Sequence, residues 1–242
     1  MNINVVCCLF ILDKEKSSNI RKNDMKKIKI LVDNNNLLPS IKFNGENDLK
    51  DSIRNHISSI IKSNIFHLEQ VFTTGEAKYF DGNNIDVIYL GVTNIVNIKE
   101  LSGDYKLINF SINDNHIINF DNGTYEYKTV EKISNNNVEY FHDIYVDDIN
   151  LEKVIMELLT AYKRLRTNID NSDIIFKFME KKFTLEDVRS VYEMIKDVNV
   201  DKSNFRKKII KYVEKVEDKI DNKGYRPTQL YCFKPLKNDI WL

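Results

Sequence analysis

Glycine and proline are scarce in this chain: 242 residues hold seven and three of them. No Gly-rich phosphate loop of the Walker or Rossmann type is present, which sets aside the nucleotide chemistry built on those loops. The three cysteines, two of them adjacent at Cys7 and Cys8, form neither a disulfide framework nor a metal pattern, and Cys232 reads as a packing residue. The histidines, His56, His67, His116 and His142, are scattered and lack the i, i+4 pair or the cysteine neighbours of a zinc site. No apolar run approaches a membrane span. The run 5–12 is short, has no basic leader and is followed by Asp13 and Lys14, so it is expected to be a strand of a cytoplasmic protein rather than a signal peptide.

Net charge is also absent, with 36 Lys and Arg against 36 Asp and Glu, but the balance is uneven along the chain. Residues 1–150 carry 16 basic and 21 acidic side chains, and residues 151–242 carry 20 and 15. An acidic part and a basic part suggest separate partners for each.

The first 140 residues read as a mixed α/β domain. Candidate strands cover 4–12, 26–32, 65–73, 85–95, 105–112 and 116–120. A helix over 48–62 places Leu49, Ile53, Ile57 and Ile60 or Ile61 along one side. Residues 121–150 carry the least pattern, with a turn at Asn135-Asn136-Asn137 and a helix entry near Asp147 and Asp148. A helix over 151–166 follows, and a short one over 172–179.

The stretch 183–233 carries the densest signals. Thr184 and Asp187 are spaced as a capping box, with Phe183 and Val188 placed as a hydrophobic staple. Leu185, Val188, Tyr192 and Ile195 then form one apolar stripe. A break at 197–200 leads to Asp201, the expected cap of a second helix. On that helix Phe205, Ile209, Tyr212 and Val213 fall on one side. Asn204, Lys207, Lys208, Lys211 and Lys215 fall on the other, flanked by Ser203 and Arg206. A lysine-rich face alone usually means a face turned to water. Here two strands follow, 214–220 and 229–233, joined by a turn at Asp221-Asn222-Lys223-Gly224 with Lys223, Tyr225 and Arg226 near its tip. Two helices, a tight turn and a ribbon with a basic tip make a winged helix-turn-helix. The candidate DNA-binding residues are Ser203, Asn204, Arg206, Lys207, Lys208, Lys211, Lys223, Tyr225 and Arg226, with Asn, Ser and Arg suited to base edges and Lys to phosphate.

The segments FTLEDVRSVYE, DKSNFRKKI and GYRPTQLYCF, with LTAYKRLR at 159–166, resemble the C-terminal part of the Nudix-related transcriptional regulators. That resemblance implies an N-terminal Nudix-like domain that senses a small metabolite and a winged helix that binds operator DNA as a homodimer. The best-known members of the family repress genes of NAD metabolism. The implied effector is therefore ADP-ribose, NAD or a sugar metabolite, without a cofactor. The segment Phe66-His67-Leu68-Glu69-Gln70-Val71-Phe72-Thr73 is similar to the strand that follows the Nudix helix in that family.

A working Nudix helix carries an Arg-Glu and a Glu-Glu pair, whose three glutamates together hold divalent metal against a pyrophosphate. With Leu49 aligned to the motif, Asn55-His56 and Ser59-Ile60 stand at those pairs. Sliding by one residue recovers Glu46 and Arg54 but leaves Asn55 and Ser58-Ser59 where carboxylates belong. No catalytic or metal-binding residue is expected. The rival readings are a hydrolase using displaced carboxylates such as Glu46, Asp51 and Glu69, and a winged helix that contacts protein. The expectation is an α+β chain, with a degenerate Nudix-like sandwich over 1–145 and a linker helix and winged-helix domain over 146–242.

Overall fold

The computed structural model describes residues 2–15, 25–75, 78–80, 83–134, 137–220 and 228–234. The chain forms two compact units, Met1–Arg164 and Leu165–Leu242. The expected boundary lies after residue 145, whereas the units part within the long helix α2 (Ile149–Asn171).

In the first unit, β1 (Asn2–Glu15) is flanked by β2 (Met25–Asp33), β3 (Ser40–Lys42) and β5 (Asn84–Asn94). Helix α1 (Leu49–Ile61) and β4 (His67–Thr74) lie between β3 and β5 in sequence. The strands β6 (Tyr105–Ile112), β7 (Ile117–Phe120), β8 (Gly123–Ser134) and β9 (Asn137–Ile144) complete the order β4-β5-β1-β2-β6-β7-β8-β9, with β3 paired to β1. Pairing is antiparallel except between β1 and β5.

Both faces of β1 are covered, which explains why 5–12 is a continuous apolar run rather than an alternating one. Val5, Cys7, Leu9 and Ile11 pack in one cluster with Ile53, Ile57, Ile60 and Ile61 of α1. From the opposite face, Phe10 meets Tyr162 of α2 at 5.8 Å and Phe110 of β6 at 5.7 Å between ring centroids. The approach of β5 to β1 leaves no room at Gly91, where a Cβ would lie 2.7 Å from Leu9 Cδ1. Burial raises the thiols of Cys7 and Cys8 far above their ordinary range, as befits core residues.

The hairpin β8–β9 falls where the sequence shows least pattern. Residues Thr124, Glu126, Lys128 and Thr129 are exposed and Tyr127 is the buried side chain between them, so little apolar alternation marks the strand.

The second unit contains α3 (Ile174–Lys177), α4 (Leu185–Lys196), α5 (Lys202–Ile209), β10 (Val213–Ile220) and β11 (Thr228–Phe233). Phe183 joins the ribbon through a two-way bond with Tyr231, at 2.9 and 2.8 Å. Tyr231 is buried and Leu230 half-buried, because strand alternation turns Tyr231 and Phe233 together toward the core. Phe233 stacks on Phe176 at 4.5 Å. Among the described residues no helix is long and apolar enough to cross a membrane.

Candidate nucleic-acid interface

Helix α4 opens with the expected capping box. Thr184 Oγ1 accepts from the Asp187 amide at 3.0 Å, and Asp187 Oδ2 accepts from the Thr184 amide at 2.9 Å. Val188, Val191 and Ile195 are fully buried, while Leu185 and Tyr192 are half-buried, so the stripe runs through Val191. Asp197 ends the helix in the left-handed region, at φ 53°, so the chain turns there without glycine. Glu193 then fastens the turn: its backbone oxygen accepts from Val198 at 3.2 Å and its Oε1 from Val200 at 2.9 Å. The same carboxylate accepts from Arg189 at 2.5 Å.

Asp201 caps α5 by accepting from the Asn204 amide at 2.9 Å. Phe205 and Ile209 are buried, and Phe205 packs on Tyr192 at 5.3 Å. Ser203, Asn204, Arg206 and Lys207 are exposed on the same helix. Lys211 and Lys215 lie beyond its end, on a 3-10 turn (Ile210–Tyr212) and on β10, because the α-helix closes at Ile209. Lys208 belongs to a cluster about Asp170 of α2. Asp170 accepts from Lys208 and Lys196 at 2.8 Å and from Tyr192 at 2.9 Å. Burial alone would raise the Asp170 carboxyl, but these bonds outweigh it and bring it down to about 2. Asp170 is the residue that the periodicity of 183–213 does not reveal, because it lies on α2, outside that stretch. Lys223, Tyr225 and Arg226 lie outside the described residues.

The outer side of α1 carries a different chemistry. Asn55 and Ser59 are exposed, and Ser59 donates to the backbone oxygen of His56 at 2.7 Å. His56, lowered by burial, meets Tyr105 Oη at 3.4 Å, and Arg54 lies over Phe66 at 5.0 Å. Among the described residues no group of three or more His, Cys, Asp or Glu could hold a metal ion, so Glu46, Asp51 and Glu69 are not brought into one. Two histidines distant in sequence share one neighbour: His116 and His142 each pack against Tyr127, at 4.9 and 5.8 Å. Lys163 approaches His142 Nε2 at 2.7 Å, and burial followed by that ammonium lowers the imidazole.

Residues 175–233 match the family model described as the NrtR DNA-binding winged helix domain. The C-terminal stretch is thus similar to the NrtR winged helix. Two solved structures share the whole plan at low identity. A MutT/nudix family protein from Enterococcus faecalis superposes with a TM-score of 0.66 at 16% identity, covering 97% of this chain and 88% of that one. NrtR of Shewanella oneidensis complexed with a 27mer DNA gives 0.63 at 16% identity, covering 96% and 94%. At that identity the likeness speaks for the fold: a Nudix-like unit followed by a winged helix. No curated protein matches by sequence.

Proposed function

We propose that the protein is a ligand-responsive transcriptional regulator, a repressor that binds operator DNA as a homodimer. The observation that carries this reading is the match of 175–233 to a DNA-binding winged helix, combined with the exposed Ser203, Asn204, Arg206 and Lys207 on α5. In this reading Asn204 and Arg206, early in the second helix, approach base edges in the major groove. Lys207, Lys211 and Arg226 contact phosphates, and Ser203, Lys223 and Tyr225 also take part in the interface. Lys208 joins those contacts only by leaving Asp170. A dimer fits because paired helices read half-sites about 34 Å apart.

The Nudix-like unit is the sensor and binds its ligand without cleaving it, since Asn55, His56, Ser58 and Ser59 stand where the hydrolase motif needs its charged residues. ADP-ribose, NAD or a related sugar metabolite is the effector, and it acts only to the extent that it binds the two arrangements of the dimer unequally. The test is retention of genomic DNA fragments by the purified full chain, followed by salt titration on the recovered duplex. The expected log–log plot is linear and steep, as counterion release requires. Equal retention of all fragments, with no preferred sequence, would overturn the operator reading. Conversion of ADP-ribose with magnesium above a protein-free control would overturn the non-enzymatic one.

A further inference from the structure

In the second unit the last turns of α2 and the ends of α4 and α5 meet around one carboxylate, Asp170. Both of its oxygens are in use. Oδ2 accepts from Lys196 Nζ at 2.8 Å, and Oδ1 accepts from Lys208 Nζ at 2.8 Å and from Tyr192 Oη at 2.9 Å. Lys208 is held a second time, because its ammonium lies over the Tyr192 ring at 5.2 Å. One turn earlier on α2, Arg166 donates to the backbone oxygen of Lys196 at 2.6 Å. The carboxylate is thus fixed by groups on three helices, and it draws Lys208 toward α2. The Lys208 side chain is 46% exposed, so the restraint on it is electrostatic rather than steric. Arg206 and Lys207 precede it on α5 and are exposed.

A lysine adds to duplex affinity by replacing condensed counterions with its own charge. An ammonium already paired with a carboxylate gains less, since its transfer to a phosphate breaks one charge-assisted bond for the one it forms. The transfer also leaves Asp170 with one cation fewer beside a polyanion. We propose that Asp170 is a positioning residue that withholds Lys208 from the DNA backbone and so lowers the sequence-independent part of duplex affinity. The proposal rests on the reading of α5 as the DNA-facing helix and adds a restraint to it. Such a restraint matters to an operator-binding protein, because random sites vastly outnumber the specific one.

Fluorescence anisotropy of the full chain on a random duplex, over a salt series, tests this. Asp170→Asn, which keeps a carbonyl acceptor for Tyr192, should tighten binding by about three- to tenfold at low salt and steepen the log–log salt slope by about one, as one added phosphate contact requires. In a Lys208→Gln background the same substitution should change affinity by less than about twofold and leave the slope as it was, because the ammonium it frees is gone. A gain that persists in that background would make Asp170 a plain repulsive charge and overturn the proposal. So would a loss of affinity in an Asp170→Asn chain that still unfolds cooperatively. The parent answers the same question without a substitution. With isotope-labelled methyl groups on its lysines, addition of random duplex should move the Lys207 resonance and leave that of Lys208 in place; a Lys208 resonance that moves with it overturns the proposal. Absence of salt-dependent duplex binding in parent and Asp170→Asn alike would sink the DNA-binding reading itself. A parent that binds, with Asp170→Asn unchanged from it, removes the restraint alone.

Discussion

Helix α1 of the first unit and helix α5 of the second begin in the same way. Asp48 accepts from the Asp51 amide at 2.7 Å, and Asp201 accepts from the Asn204 amide at 2.9 Å. Each helix then buries apolar side chains at helical spacing, Ile53 and Ile57 in one and Phe205 and Ile209 in the other. Their outer faces differ: α1 exposes Asn55 and Ser59, and α5 exposes Arg206 and Lys207. The inner face and the cap decide that a helix forms and docks. The outer face decides what it can meet, and that face is nearly free of folding constraints. Substitutions on the two faces should therefore separate stability from binding.

The largest effect is expected on an inner face. Ile57 is fully buried, so Ile57→Ala should cost about 2–5 kcal/mol of unfolding free energy. Asn55→Ala, two residues away on the outer face, should stay within about 0.5 kcal/mol. Denaturant unfolding measures both, and equal costs would remove the distinction between faces. On α5 the order reverses for function. Arg206→Glu with Lys207→Glu should lower operator affinity on the order of 100-fold near physiological salt, with stability little changed. The same two charges placed on α1, Asn55→Glu with Ser59→Glu, should change it by about threefold at most, given screening over about 8 Å. Unchanged binding by the α5 variant would remove α5 from the interface.

Much of this contrast was legible in the residues. Caps and apolar periodicity are local, so α4 and α5 can be read from Thr184, Asp201 and the spacing that follows each, and α1 from its apolar spacing. Strand β1 is legible as an apolar run, but only its packing against both helices explains the run. The hairpin β8–β9 is not legible, since Tyr127 is the lone buried side chain among polar neighbours over 124–129. The tether from Lys208 to Asp170 and the meeting of Asp86 with Lys153 and Glu157 join residues from separate elements. No spacing rule encodes such pairs, although the i, i+4 placement of Lys153 and Glu157 hints at one of them.

Glu157 offers a titration test of the difference between a buried carboxyl and a tied one. Burial pushes it up to about 8, relieved in part by Lys153 and reinforced by Asp86. Between the ordinary carboxyl value and 8 the unfolded chain has lost this proton while the folded chain keeps it. The folded state therefore loses stability as pH rises through that window. A slope of a few kcal/mol across it is expected for the parent, and Glu157→Gln should flatten it. Asp170 runs the other way, because its carboxyl is held down to about 2. Its contribution, of the order of 1–2 kcal/mol after screening, is present above the ordinary value and disappears as pH falls toward 2. Asp170→Asn should remove that acid-side loss. Thermal unfolding against pH reads both, and a Glu157→Gln slope equal to the parent's would show that Glu157 is ionised in the fold.

The smallest effects come from the two caps, and they distinguish the helices most cleanly. Asp48→Ala and Asp201→Ala should each cost about 1 kcal/mol, because each leaves a first-turn amide without its acceptor. Asparagine caps as well as aspartate, so Asp48→Asn and Asp201→Asn should leave stability within about 0.5 kcal/mol. They differ in charge alone. Asp201 is exposed beside Ser203 and Asn204, on the proposed DNA-facing side, and its negative charge opposes the approach of the polyanion. Asp201→Asn should therefore tighten binding to specific and random duplexes alike, by a few-fold at low salt and less as salt rises. Asp48→Asn should leave both affinities unchanged. Fluorescence anisotropy on a labelled duplex at two salt concentrations resolves the pair. Equal responses from the two variants would mean that DNA senses only the net charge of the chain, and that α5 holds no privileged position on it.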